Sequence, residues 1–238
     1  MTLGEVATQL KLPKSSGLTL LRALVVTEFC VTDDKGLYAL GLHSFEVGAA
    51  YLRSMTPVRS VTPELQWLTE SLGVTSHFAV LQQDEVVYLA KRDPPELGLK
   101  LASSLGARLP ASVTAVGKAQ LAYRATSPRV GEPGALPGGE PGPLAASGPS
   151  VKGPDDQMAW APEVELERVR RLGYAVDDGQ TAVGIRCVAA PLFNECGCCG
   201  AIGVSYLLGG VPAVTAVAEA VVEAAARASA RLGGRAPE

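Results

Sequence analysis

The chain has 238 residues, 47% hydrophobic and 19% charged, with a net charge of −3. That length exceeds one average domain and fits a small domain followed by a medium one with a real core. The mild negative balance excludes a chain that binds nucleic acid over its whole surface, so a DNA contact needs locally concentrated positive charge.

The opening MTLGEVATQL lacks the basic start and long apolar run of a secretory leader. No stretch reaches the roughly 20 apolar residues of a membrane span, so no membrane partner is expected. The five cysteines, odd in number and with no export signal, are expected as reduced thiols in a cytoplasmic protein.

Leu3, Val6, Ala7 and Leu10 recur at helical spacing, and Thr2 with Glu5 has the spacing of a capping box. Lys11-Leu12-Pro13 breaks that helix. A second starts near Lys14 with Ser15 or Ser16 as a cap, and its apolar face is Leu18, Leu21, Ala23, Leu24 and Val25. FCVT and LYAL then flank Asp33-Asp34-Lys35-Gly36, a hairpin pattern. Helix, break, helix and hairpin is the order of a winged helix-turn-helix, although the turn lacks glycine. A connecting helix follows from about Ser44 to Leu52. Pro57 and Pro63 punctuate the chain before a helix over 64–72, closed by Gly73.

From Thr75 the pattern turns to strands. SHFAVLQ and EVVYLAKR flank Gln83-Asp84, and residues 97–102 alternate as a further strand. Residues 114–123 read as a helix. Residues 126–160 are dense in proline and glycine and read as an extended or disordered loop. A helix resumes at Pro162 and ends at Gly173. YAVD, IRCVAAPLF and CCGAIGVSYL read as strands, and a helix over 211–232 closes the chain. The last helix carries Glu219, Glu223, Arg227 and Arg231, which suits an amphipathic helix rather than a membrane span.

No catalytic constellation is present. The patterns G-x-S-x-G, H-E-x-x-H and G-x-G-x-x-G are all missing. Val116-Gly117-Lys118 resembles the tail of a phosphate-binding loop, but the required upstream glycine is Ser112. Cys196, Cys198 and Cys199 lack zinc spacing, because neighbours on a strand point to opposite faces. No metal, no cofactor and no enzymatic activity are expected.

Six segments in order resemble the IclR family of transcription regulators: LPKSSGLTLLRALV, GLYALGLHSFEVG, SHFAVLQQDEVVYLAKR, LGARLPASVTAVGKAQLA, LERVRRLGYAVDDGQTAVGIRCVAAPLF and GAIGVS. The resemblance implies an α+β chain: an N-terminal winged helix-turn-helix joined by a linker helix to a GAF-like α/β effector-binding domain. Residues 1–42 correspond to the DNA-binding domain, 43–56 to the linker and 57–235 to the effector domain, with the loop at 126–160 inside it. The implied partners are a double-stranded DNA operator, a small organic effector, carboxylate or aromatic, and a second copy in a homodimer or homotetramer.

The DNA-facing positions are Lys14, Ser15, Ser16, Leu18, Thr19 and Arg22, and no acidic residue stands between positions 6 and 27. The residues alone leave DNA contact and a merely solvated helix face equally open; the resemblance favours DNA. The family usually has arginine where Thr19 stands and a polar residue where Leu18 stands, and it places one more helix ahead of the segment beginning at Met1. Leu3, Val6 and Leu10 are therefore expected to be partly exposed. These departures keep a second reading open, a degenerate dimeric small-molecule-binding module without operator recognition.

For the effector, the resemblance points to the backbone amides of Ala115 and Val116, then Asp177, Cys187, Gly203 and Ser205. Leu101, Leu109 and Ile185 form the apolar wall. The amides at the start of helix 114–123 favour a carboxylate. Gly203 stands where the family often has serine, and Gln180 where it usually has Glu.

Overall fold

The structure, a computed structural model, describes residues 1–95, 103–124, 162–209 and 213–237. The chain divides into two compact units, Met1–Met55 and Thr56–Glu238. The strand expected over 97–102, the loop at 126–160 and Leu101 lie outside the described residues.

The first unit is α1 (Leu3–Gln9), α2 (Lys14–Val26), β1 (Cys30–Thr32), β2 (Tyr38–Leu40) and α3 (Leu42–Ser54). The capping box is present: the Thr2 side chain accepts from Glu5 N at 3.2 Å while Thr2 N donates to Glu5 Oε2 at 2.7 Å. In the turn to α2, Lys11 takes the left-handed conformation (φ 51°) that glycine would otherwise supply. Neither Ser15 nor Ser16 caps α2. Helical backbone already begins at Lys14 behind Pro13, and no side chain caps it. Gly17 is buried where α2 crosses α1, because a Cβ there would already touch Leu3 Cδ1 at 3.4 Å and Ala7 Cβ at 3.6 Å. Leu21 joins it inside, and Leu18 and Val25 lie half-buried beside them. Ala23 and Leu24, expected inside, are exposed, because α1 is two turns long and covers only the N-terminal part of α2. Leu3 and Val6 are half-buried and Leu10 is exposed.

The wing is an antiparallel pair, with Cys30 opposite Leu40 and Thr32 opposite Tyr38. Asp33 Oδ1 shapes its turn by accepting from Lys35 N at 2.9 Å and Leu37 N at 2.8 Å.

The second unit is α4 (Thr56–Leu72), β3 (Thr75–Gln82), β4 (Glu85–Arg92), β5 (Arg108–Pro110), α5 (Ala115–Leu121), α6 (Glu163–Leu172), β6 (Ala175–Asp178), β7 (Ile185–Asn194), β8 (Gly197–Leu207) and α7 (Val214–Arg231). Among the described residues its six strands form an antiparallel sheet in the order β5-β4-β3-β8-β7-β6. The α4 helix starts eight residues before the expected position 64 and runs through Pro63. Its apolar face (Val61, Leu65, Leu68) keeps helical spacing across the proline, and Arg231 of α7 donates to Ser60 O at 2.8 Å one turn ahead.

The sheet is covered on both faces. One face packs on α4 and α7 through Phe78, Val188, Leu192, Ile202 and Val204. Gly200 is required there, since a Cβ would fall 2.4 Å from the Phe78 ring. Glu64 is buried between these helices and held by Arg227 at 2.8 Å and Arg231 at 2.5 Å. Burial pushes its carboxyl up, but the two guanidiniums outweigh that and hold it below the usual carboxylate range. The other face packs on α5 and α6 through Ala79, Val86, Tyr88, Leu109, Ala189 and Ala201.

Candidate functional site

On the α5 face, pairing places side chains in rows across the strands. Asp177 lies opposite Cys187, Cys187 opposite Ser205, and Ser205 opposite Thr75. One row along, Ala175, Ala189, Gly203 and His77 align. The N-terminus of α5 closes over this corner, held near the sheet by Gly117. A Cβ on Gly117 would meet Ala111 O at 2.1 Å, so only glycine permits the approach.

Between helix and sheet lies a cavity of about 30 Å³, room for one water-sized group. Seven of the expected positions line it: Leu109, Ala115, Val116, Asp177, Ile185, Cys187 and Ser205. Gly203 does not. It lies beneath the cavity, where a Cβ would stand 3.0 Å from both His77 Nε2 and Ala189 Cβ. The sequence reading missed His77, Tyr88, Ser103, Thr114, Thr181 and Ala182, which also line the cavity. Two-residue alternation with Ala79 marks His77 as facing this side, but only the strand register brings it to Gly203.

The polar groups differ in how they are engaged. Asp177, 1% exposed, accepts from Gln180 N at 2.7 Å, from Thr181 N at 3.3 Å and from the Thr181 hydroxyl. It therefore organises the turn after β6 rather than offering free oxygens. Its neighbour Asp178 points the other way and binds Arg186 at 2.9 Å. The Cys187 thiol and Ser205 hydroxyl share a hydrogen bond at 3.0 Å. Burial pushes the Cys187 thiol up to about 12, so it is neutral and a poor nucleophile. His77 stands edge-on to Tyr88 with ring centres 5.2 Å apart. Burial, with the Lys91 charge, pushes its imidazole down to about 3, so the ring is neutral. Burial likewise raises the Tyr88 phenol.

Lys118 of the V-G-K segment faces away from the cavity. Its ammonium is 1% exposed and donates to Glu165 Oε1 at 2.7 Å, to Val176 O at 3.2 Å and to the Gln180 side chain. It is a structural tie between α5, α6 and the turn after β6. Among the described residues, no group of three or more His, Cys, Asp or Glu is placed to hold a metal ion.

In the first unit Lys14, Ser15, Ser16, Thr19 and Arg22 are all exposed on α2. Leu18 is half-buried, on the apolar flank shared with Leu21 and Val25. The Thr19 hydroxyl donates back to Ser15 O at 3.1 Å. No helix among the described residues is long and apolar enough to cross a membrane.

Comparison with known proteins agrees with this geometry. A family profile described as the bacterial transcriptional regulator IclR C-terminal matches residues 49–128 and 162–231. The HTH-type transcriptional regulator KdgR of Escherichia coli (strain K12) is 26% identical over 197 residues, 81% of this chain and 70% of that protein. The crystal structure of an IclR transcriptional regulator from Alicyclobacillus acidocaldarius superimposes with a TM-score of 0.75 at 25% identity, covering 98% of this chain and 90% of that one. An IclR homologue from Microbacterium hydrocarbonoxydans, complexed with 4-hydroxybenzoate, shares the fold with a TM-score of 0.72 at 20% identity, over 98% of this chain and 91% of that one. These relatives are regulators rather than enzymes, and the chain belongs to the IclR family of bacterial transcriptional regulators.

Proposed function

We propose that this chain is a ligand-responsive, DNA-binding regulator. Residues 1–42 read a double-stranded operator through Lys14, Ser15, Ser16, Thr19 and Arg22, residues 43–56 link, and the domain over 57–235 binds a small organic effector. The observation that carries this is the exposed basic face of α2 in a helix-turn-helix with a wing, on a chain whose other unit encloses a cavity between α5 and its sheet. Lysine and arginine on such a face neutralise phosphates, while serine and threonine reach phosphate or base edges.

The apolar lining of Leu109, Val116 and Ile185 suits an aromatic or aliphatic body, and the Ala115 and Val116 amides suit a carboxylate. The 4-hydroxybenzoate bound by the Microbacterium homologue carries both features. Leu42, Phe45, Val47 and Tyr51 are exposed along α3, which supports a homodimer or homotetramer built on this helix. The effector acts by binding two arrangements of the assembly with different affinity.

The test is operator binding by single variants. Lys14→Ala and Arg22→Ala should each weaken binding and lower the slope of log affinity against log salt by about one. Slopes unchanged from wild type in both variants contradict this use of α2.

A further inference from the structure

The cavity of about 30 Å³ admits one water-sized group, so an organic effector enters only where a wall can move. Among the described residues, most of that wall is fixed. Ala115 and Val116 belong to α5, in which every residue is buried and which Gly117 seats directly on Ala111. Cys187 and Ser205 stand opposite each other on paired strands within the sheet. Thr181 and Ala182 differ. They line the cavity from residues 179–184, the turn between β6 and β7.

This turn is built to move as a piece. Glycines in the left-handed conformation stand at both ends, Gly179 at φ 79° and Gly184 at φ 80°, and a Cβ on either would have no neighbour closer than 4.0 Å. Uncrowded glycines absorb the backbone rotation that a hinge requires. The tip is bare: Val183 is 98% exposed and packs on nothing that would hold the turn down.

What holds it is a pair of polar attachments from outside the turn. Asp177 on β6, 1% exposed, accepts from Gln180 N at 2.7 Å, from Thr181 N at 3.3 Å and from the Thr181 hydroxyl. Lys118 on α5, also 1% exposed, donates to the Gln180 side chain. Both anchors carry a charge, which strengthens the bonds they make, and both stay fixed in the core when the turn moves. Gln180 and Thr181 are therefore the two points at which the turn is fastened.

Resting on the regulator reading above, in which this cavity takes the effector, we propose that residues 179–184 form a gate over it, hinged at Gly179 and Gly184 and latched by Asp177 on Thr181 and by Lys118 on Gln180. Closed, the gate seals the cavity with Thr181 and Ala182. Opening releases the two latches, uncovers Cys187 and enlarges the space beside α5.

Cys187 reads the gate without any effector. It lines the cavity, its thiol bonds to Ser205, and burial pushes that thiol up to about 12, so it alkylates slowly while the gate is shut. Cys198 and Cys199, buried at the other end of the sheet, report global unfolding in the same sample. The experiment is N-ethylmaleimide labelling of the full chain, followed cysteine by cysteine by peptide mass spectrometry, in wild type, Thr181→Val and Gln180→Ala. Each variant should label Cys187 about tenfold faster than wild type, as for a lost hydrogen bond to a charged group, with Cys198 and Cys199 unchanged. If one variant does not fold, the other carries the test. Cys187 labelling at the wild-type rate in a folded variant overturns the proposal. So does a rise shared equally by Cys187, Cys198 and Cys199, which makes unfolding of the whole domain the route in. Operator binding measured on the same samples separates the two readings. A selective Cys187 response without DNA binding contradicts only the regulator, and DNA binding without that response contradicts only the gate.

Discussion

Lys118 and Glu165 form an ion pair of 2.7 Å whose two ends sit in different surroundings: the ammonium is 1% exposed and the carboxylate 34%. Removing one partner leaves the other charge to find its own solvation, so the two deletions are unequal. Glu165→Gln strands a buried ammonium among neutral acceptors and should cost about 3 kcal/mol. Lys118→Met leaves a carboxylate that water can reach, together with unpaired oxygens of Val176 and Gln180, and should cost about 1–2 kcal/mol. Urea denaturation of the two variants checks the order; equal losses would contradict it.

His77 makes stability depend on acid. Its folded value, about 3, lies below the ordinary 6.5, so the unfolded chain binds a proton that the folded chain refuses. The stability this residue contributes is fully present above pH 6.5 and is lost as pH falls from there toward 3. The loss over that window should reach about 4 kcal/mol. His77→Leu should flatten the denaturation midpoint between pH 6.5 and 4 relative to wild type. A parallel pH profile would show that the ring protonates in place.

Gly17 lies inside α2, where glycine costs roughly 1 kcal/mol relative to alanine. The added methyl would meet Leu3 Cδ1 at 3.4 Å and Ala7 Cβ at 3.6 Å, ordinary contact rather than clash. Gly17→Ala should therefore stabilise α2 by about 1 kcal/mol, read as slower amide exchange from Leu20 to Val25. Faster exchange would mean that α1 needs the closer approach glycine permits.

The order of elements was legible because alternation, helical spacing and turn residues agreed along most of the chain. The wing, the β3–β4 hairpin and the strand pair around Asn194–Gly197 all form where the sequence put them. Two local rules misled. Prolines suggested a late start for α4, yet its apolar face continues through Pro63 because α7 packs along it. Serines suggested a cap for α2, yet Lys14 is already helical.

The cavity was legible where one residue maps to one position, as at Asp177, Cys187 and Ser205. It was not legible where a role depends on pairing. His77 matters because β3 registers against β8 and Gly203 lacks a side chain, a relation between positions far apart in the sequence. Ser103 belongs to no periodic pattern. The sequence discounts Val116-Gly117-Lys118 as a phosphate loop because Ser112 stands at the required glycine, but only the fold shows what Lys118 does: it is buried and ties three oxygen partners together.

The central claim is operator recognition by this chain. Its most direct test is fluorescence anisotropy of the purified full-length protein with DNA from around its own gene, as a salt series beside a scrambled duplex of equal length. The account predicts binding to the native sequence at least about a thousandfold tighter than to the scrambled one, falling steeply with salt. Equal affinity for both duplexes by a folded sample would contradict it and leave a small-molecule-binding module without operator recognition.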